Sequence, residues 1–310
     1  MKGRKFVPDL IVMAQSLRNT GTEGEYICMC TPDVMKYKDE LGLLSKVYDR
    51  IVEIPYLAHT VGKLKSEKQK KIYEAWMDVA FTKLNIMKPE HFGTYNKVLL
   101  VDADKYWLRD INALFDLPAP AGLFSHYIAK PFIPNGMMNP YLIKGDTPYF
   151  GDKITEKMID VGLKQAFVLM GSCVLVEPTV AGSRAIDELL EQKEPYGNPG
   201  CISMFDEQAF CDTHKMMRAN GSWKGQWRYI HQSYSNFVGH DRWMEECKPK
   251  CFHYYNFKPR QMPRSQAELW PDLKPWWKLH DKICKSWGVK TLIVDNDPVD
   301  PEKLASANKK

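Results

Sequence analysis

The chain has 310 residues, of which 44% are hydrophobic, 26% charged and 12% aromatic, with 19 Gly and 20 Pro in no period. Enough apolar surface is present to offset the entropy of ordering, which excludes a mainly disordered, collagen-like or low-complexity protein. Lys and Arg exceed Asp and Glu by 43 to 38, and this formal +5 is spread along the chain rather than gathered into a patch for nucleic acid.

Pro8 to Arg18 reads as the first helix, with Leu10, Ile11, Met13, Ala14 and Leu17 on an apolar face. Tyr26–Cys30 is a β-prone run ending at the turn Thr31-Pro32-Asp33, and Arg50–Ile54 is a second strand stopped by Pro55. The longest helical pattern is Lys70–Met87, and Lys97–Val101 is a short buried strand. This alternation predicts an α/β fold of Rossmann-like type, with a mostly parallel central sheet flanked by helices. Farther on, Ala121–His126 is a strand, Pro131–Gly151 a long Pro- and Gly-rich loop, and Val174–Val176 a strand. Thr179–Glu191 and Asp206–His214 are helical. The longest apolar run, Ala166–Val176, is interrupted by Gly171 and Ser172 and falls short of the ~18 residues of a membrane span, so no integral membrane segment is expected. No repeat or linker breaks the pattern. One domain over 1–295 is expected, with a flexible polar tail at 296–310.

Eight cysteines are too sparse for a disulfide scaffold and suggest reduced thiols in a cytoplasmic protein. Cys28 and Cys30 share one face of a strand and read as core. Cys247-x-x-x-Cys251-x-His253 lacks a fourth ligand at any recognised zinc spacing.

Chemistry concentrates in Val98-Leu-Leu-Val-Asp102-Ala103-Asp104. Two carboxylates just past a buried strand stand where an open α/β sheet binds its ligands. They offer oxygen ligands to a hard divalent cation shared with substrate phosphates. A solvated turn is the plain alternative for this tripeptide alone.

The surroundings carry more. Ile111-Asn-Ala-Leu114-Phe115 follows, and the whole run resembles the signature of the family 8 glycosyltransferases, the glycogenin and galactinol synthase group. Thr82-Lys83-Leu84 resembles that family's Thr-Lys-Leu. Gly171-Ser172-Cys173-Val-Leu-Val-Glu-Pro-Thr179 is similar to its small-residue turn and strand, and Asp206-Glu207-Gln208 to its Gly-Asp-Gln. Phe252-His253-Tyr-Tyr-Asn256-Phe-Lys258-Pro259 resembles its His-x-x-Gly-x-Lys-Pro-Trp element, so the resemblance runs from about Lys2 to Pro275.

The resemblance implies a GT-A fold and a retaining hexosyltransferase that takes a UDP-sugar and Mn²⁺, or Mg²⁺ in its place. Carried over by motif, Asp102, Asp104 and His253 ligate the metal. Lys258 meets the diphosphate; Lys83, Ala103, Gly171, Ser172 and Gln208 complete the donor site, and Glu207 and Gln208 stand at the reacting sugar. The acceptor class is a glycan, a polyol or a protein.

The chain departs from the family pattern at several places. Met170 replaces an asparagine, Asn256 a glycine and Arg260 a tryptophan, although Lys274-Pro275-Trp276 offers a second match. The similarity also begins at Lys2-Gly3, already entering the first helix, so a first strand and its nucleoside loop are expected to be missing, with Met1 an internal start. A truncated amino terminus would also make a Golgi lumen setting compatible. The alternative these departures leave is a catalytically weakened relative that binds a glycan or a protein.

Overall fold

The computed structural model describes residues 4–62, 77–124, 150–165, 168–197, 204–238, 249–255, 258–267 and 269–293. In chain order its main elements begin with helix α1 (Val7–Asn19), strand β1 (Ile27–Cys30), helix α2 (Lys38–Leu44) and strand β2 (Arg50–Glu53). Strands β3 (Val98–Val101), β4 (Lys105–Trp107), β5 (Ala121–Phe124) and β6 (Lys153–Ile154) follow, then α3 (Glu156–Gln165) and β7 (Leu169–Val176). Helices α4 (Val180–Leu190) and α5 (Phe205–Ala219), strands β8 (Trp227–Tyr229), β9 (Asn236–Phe237) and β10 (Cys251–His253), and helix α6 (Lys274–Trp287) complete the order.

These elements form two compact units, each assembled from separate stretches of chain: one takes Met1–Glu53, Ala103–Asn112 and Ser233–Lys310, the other Ile54–Asp102 and Ala113–Gln232.

The second unit is built on a five-stranded sheet of order β3-β7-β5-β8-β6. Strand β7 is buried along its whole length, and α5 packs on it with α4 alongside. Thr179 caps α4, its hydroxyl accepting from the Gly182 amide at 3.0 Å. The α/β class agrees with the sequence reading, but the sheet is mixed rather than mostly parallel. Strand β7 runs antiparallel to both β3 and β5, β6 is antiparallel to β8, and only β5–β8 is parallel. A continuous apolar strand says that both faces are covered; it does not say which way its neighbours run. Ahead of β3, residues Met77–Met87 form a 3₁₀ helix rather than the end of an α-helix. There Asn85 turns its amide onto the Thr82 and Pro55 carbonyls, competing with regular helical bonding. The upstream part of that helical pattern, and nearly all of the expected 131–151 loop, lie outside the described residues, as does the tail from 296.

In the first unit β1 and β2 pair in parallel, Ile27 opposite Arg50 and Cys30 opposite Glu53. A separate three-stranded sheet has the order β4-β10-β9. Helix α1 packs on β4, α2 and α6. Ser16 locks α1 onto the sheet, its hydroxyl accepting the Trp107 amide at 2.9 Å. Helix α6 buries Trp276, Trp277, Leu279 and Ile283. Trp276 and Trp277 are thus core residues of this unit. Cys28 and Cys30 are each 2% exposed with sulfurs 3.7 Å apart, also core. Among the described residues no helix is long and apolar enough to cross a membrane.

Candidate active site

In the second unit, strand β3 delivers Asp102 to its carboxyl end. The β3–β7 ladder continues one step past the strand, where the Asp102 amide donates to the Ser172 carbonyl at 3.1 Å. The 3₁₀ helix brings in Lys83, whose ammonium lies 2.9 Å from Asp102 Oδ1 and 3.2 Å from Asp206 Oδ2. Burial alone would favour neutral lysine, but the Asp102 and Asp206 carboxylates outweigh it and hold Lys83 protonated well above the ordinary lysine range.

Behind this cluster Gly171 removes a side chain where one would collide. A Cβ there would lie 3.1 Å from both Asp206 Oδ2 and Glu207 Cγ, and 3.6 Å from Lys83 Nζ. Glu207 faces backbone: one carboxyl oxygen accepts from the Gly171 amide and the other from the Met204 amide, each at 2.8 Å. The Met204 bond caps the start of α5, the third residue of the helix reaching back to the residue before it. Burial, reinforced by the neighbouring Asp206 charge, pushes the Glu207 carboxyl up to about 8. Gln208, next along α5, is 1% exposed, Ser172 3% and Ala103 9%.

In the first unit the antiparallel ladder β4–β10 sets His253 opposite Lys105, and the Tyr254 amide donates to the Asp104 carbonyl at 2.8 Å. That register brings His253 and Tyr254 to Asp104. His253 Nε2 lies 3.4 Å from Asp104 Oδ1, and the Ser235 hydroxyl meets Nδ1 at 3.0 Å, which fixes how the ring is turned. The Phe237 ring stacks on the imidazole with centroids 5.2 Å apart. Lys258 pairs with Asp104 Oδ2. Burial opposes ionisation of Asp104, yet the Lys258 and His253 charges prevail and hold its carboxyl well below the usual range.

Of the residues expected from sequence, Lys83, Asp102, Gly171, Ser172 and Glu207 are therefore gathered in the second unit, and Asp104, His253 and Lys258 in the first. Two partners escaped the sequence. Asp206, and not Glu207, is the carboxylate that meets Lys83; its only signal was adjacency to the family-like Glu207-Gln208. Ser235 had no signal, because an isolated serine becomes meaningful only once β9 is paired beside β10. Cys251 donates to the Tyr234 carbonyl at 2.9 Å, and Cys247 lies outside the described residues.

No protein-family model matches the chain. Over 113 residues, 36% of its length, it is 28% identical to the glycogenin of Neurospora crassa and covers 15% of that protein. Over 173 residues it is 25% identical to the uncharacterized protein R707 of Acanthamoeba polyphaga mimivirus, covering 56% of this chain and 51% of the other. The chain thus spans about half, or less, of the length of these relatives. Among solved structures, the bifunctional glycosyltransferase WbbM in its apo form matches at a TM-score of 0.50 and 12% identity, over 97% of this chain and 49% of that one. The galactosyltransferase LgtC, solved with donor and acceptor sugar analogues, reaches 0.48 over 92% of this chain and 93% of its own.

The chain has a fold of the GT-A type, as seen in the glycosyltransferase WbbM. Its sequence is similar to glycogenin over the matched segment, as the family 8 resemblance of its motifs leads one to expect.

Proposed function

We propose that the protein is a metal-dependent hexosyltransferase that uses a UDP-sugar and retains configuration at the anomeric carbon. The observation that carries this reading is the meeting of His253 and Lys258 at the Asp104 carboxylate, the lysine arriving from 154 residues away. These are the groups that the motif resemblance assigns to the metal and the diphosphate.

The motif resemblance assigns Asp102, Asp104 and His253 to the ion, two carboxylates and an imidazole, a donor set that suits Mn²⁺ and, with its nitrogen ligand, suits Mg²⁺ less. The Ser235 contact supports that fit, because it orients the ring through Nδ1 with Nε2 turned towards the Asp104 carboxylate. Bound there, the ion would neutralise charge developing on the departing diphosphate. Lys258 adds a fixed positive charge to the same leaving group. Lys83, held protonated between two carboxylates, would contact the hexose, with Gly171 and Ser172 leaving room for the ring and Gln208 beside them.

Glu207 suits a supporting role better than that of a nucleophile, since both its oxygens already accept backbone amides. Retention by attack from the leaving-group face therefore fits better than double displacement. The acceptor would be a glycan, polyol or protein hydroxyl. The described cysteines, all buried thiols, suit a cytoplasmic setting.

The second reading, a weakened relative that binds without turnover, draws on Met170. It is 8% exposed in β7 and apolar where the family carries an amide. One experiment separates the two: calorimetry with UDP, and hydrolysis of UDP-glucose, UDP-galactose, UDP-glucuronate and UDP-N-acetylglucosamine with and without Mn²⁺. Turnover that falls at least ~100-fold in Asp104→Asn and on chelation is expected, the scale of losing one electrostatic stabiliser. Binding without hydrolysis favours the second reading, and neither binding nor hydrolysis sinks the enzyme.

A further inference from the structure

We propose that the buried pair Asp9–Arg260 is a positioning device that fixes the Lys258 ammonium for an anionic diphosphate ligand; this rests on the donor reading above. Asp9 lies in the first turn of α1 and is 1% exposed, and its Oδ2 is 2.6 Å from Arg260 Nε. The Arg260 guanidinium also lies over the Phe6 ring, 5.2 Å from its centroid. Arginine thus occupies the place of the family's tryptophan, and it does so by pairing with an acid on the first helix.

The connection to Lys258 is short and stiff. Pro259 is buried and begins a one-turn 3₁₀ helix, Pro259–Gln261, closed by the Gln261 amide donating to the Lys258 carbonyl at 2.9 Å. Proline fixes its own φ, so Lys258 and Arg260 leave this turn in a set relation. The far end is equally anchored, because Ser16 ties α1 to Trp107 of β4, and Asp104 precedes β4 and holds Lys258. The contacts close a ring: Asp104, Lys258, Arg260, Asp9, α1, β4 and back to Asp104.

A buried ion pair is a poor source of stability, since apolar residues of similar volume often hold a fold as well or better. What the pair supplies here is direction. An apolar contact would let the turn slide, whereas a carboxylate gripping a planar guanidinium sets both its position and its angle.

The test is a double-mutant cycle read by calorimetry with UDP in saturating Mn²⁺, alongside thermal melting. Asp9→Leu combined with Arg260→Met removes both charges together. It is expected to melt near wild type while binding UDP about tenfold more weakly, with donor kcat/KM lowered by at least as much. In the Lys258→Ala background the same pair of changes should cost nothing further, because there is no ammonium left to position. Unchanged UDP affinity in the apolar pair, or losses that simply add to that of Lys258→Ala, overturns the inference while leaving the donor reading intact. Wild-type protein that binds no UDP overturns the donor reading, and this inference with it. Should the apolar pair fail to fold, Arg260→Lys carries the test: about threefold weaker binding is expected, and wild-type affinity overturns the inference.

Discussion

Gly171 is the residue whose substitution best separates site from scaffold. A methyl at that position would press on Asp206 and Glu207, each 3.1 Å from the built Cβ, with the Lys83 ammonium in contact at 3.6 Å. Gly171→Ala is therefore expected to lower donor turnover roughly tenfold, the scale of a small misplacement of a positioned group. Steady-state kinetics beside a melting curve checks this; turnover equal to wild type would mean the cradle holds no donor. Glu207 makes a second, pH-dependent prediction. Its carboxyl titrates near 8 when folded and near 4.5 when exposed, so between those values the folded chain holds a proton that the unfolded chain has released. Stability contributed by this group is full at low pH and is lost as pH rises through that window. Glu207→Gln cannot release the proton, so its melting temperature should fall less than that of wild type between pH 5 and pH 8, by several degrees. Parallel profiles for the two proteins would show that Glu207 titrates elsewhere. At this scale the sequence was most legible where residues sit in short motifs. Asp102, Asp104, His253 and Lys258 could be nominated from spacing and resemblance. Asp206 and Ser235 could not, since their importance comes from contacts across the fold.

Strand direction was the least legible feature among the elements. The hydrophobic runs located β1, β2, β3 and β5 to within a residue or two, because burial leaves a mark on composition. Direction leaves none, and β7, buried along its whole length, lies antiparallel to both neighbours. Strands β4 and β10 were missed for a related reason. Each is three residues long, and β4 hides Lys105, whose buried ammonium donates to the Tyr234 carbonyl at 3.0 Å. Gly122 marks where β5 is most constrained. The register of β5 against β7 shifts just after it, and a Cβ there would come within 2.4 Å of Leu169 Cδ1 and 3.2 Å of the Trp227 ring. Gly122→Ala is expected to destabilise by about 2 kcal/mol, in the range of overpacked cores. Urea unfolding should show a lower midpoint at unchanged slope. Helix α5 gives a counterpart at lower pH. His214 is buried with its Nδ1 2.7 Å from the Phe210 carbonyl, and burial holds it down to about 4. The unfolded chain binds the proton first, so stability falls as pH drops from about 6.5 towards 4. His214→Phe should flatten that acid limb relative to wild type in the same melts.

For the whole molecule, the path of the chain matters more than its length. Each compact unit is discontinuous in sequence, and the first is completed only when residues from Ser233 onward return to it. Removing 233–310 takes away β9, β10 and α6 together and exposes the faces of α1 and β4. A fragment of residues 1–232, which keeps all of the second unit, is therefore expected to lose the part of the cooperative thermal transition, followed by circular dichroism, that the first unit contributes. A sharp transition at the wild-type temperature would contradict this. The ordering of motifs along the sequence gave the class of fold well, since every motif contributes to one or other unit. It gave no view of how the stretches interleave, because that is fixed by long-range pairings such as β4 with β10.

The cysteines have a practical consequence. All six in the described residues, Cys28, Cys30, Cys173, Cys211, Cys251 and Cys284, are buried thiols distributed over both units. A water-borne alkylating reagent reaches such sulfurs only when the surrounding packing opens. With Cys201 and Cys247 replaced by serine, the labelling rate in native buffer becomes a clock for that opening. Because Cys28, Cys30, Cys251 and Cys284 belong to one unit and Cys173 and Cys211 to the other, mass spectrometry of the tagged peptides would time each unit separately, without any introduced probe.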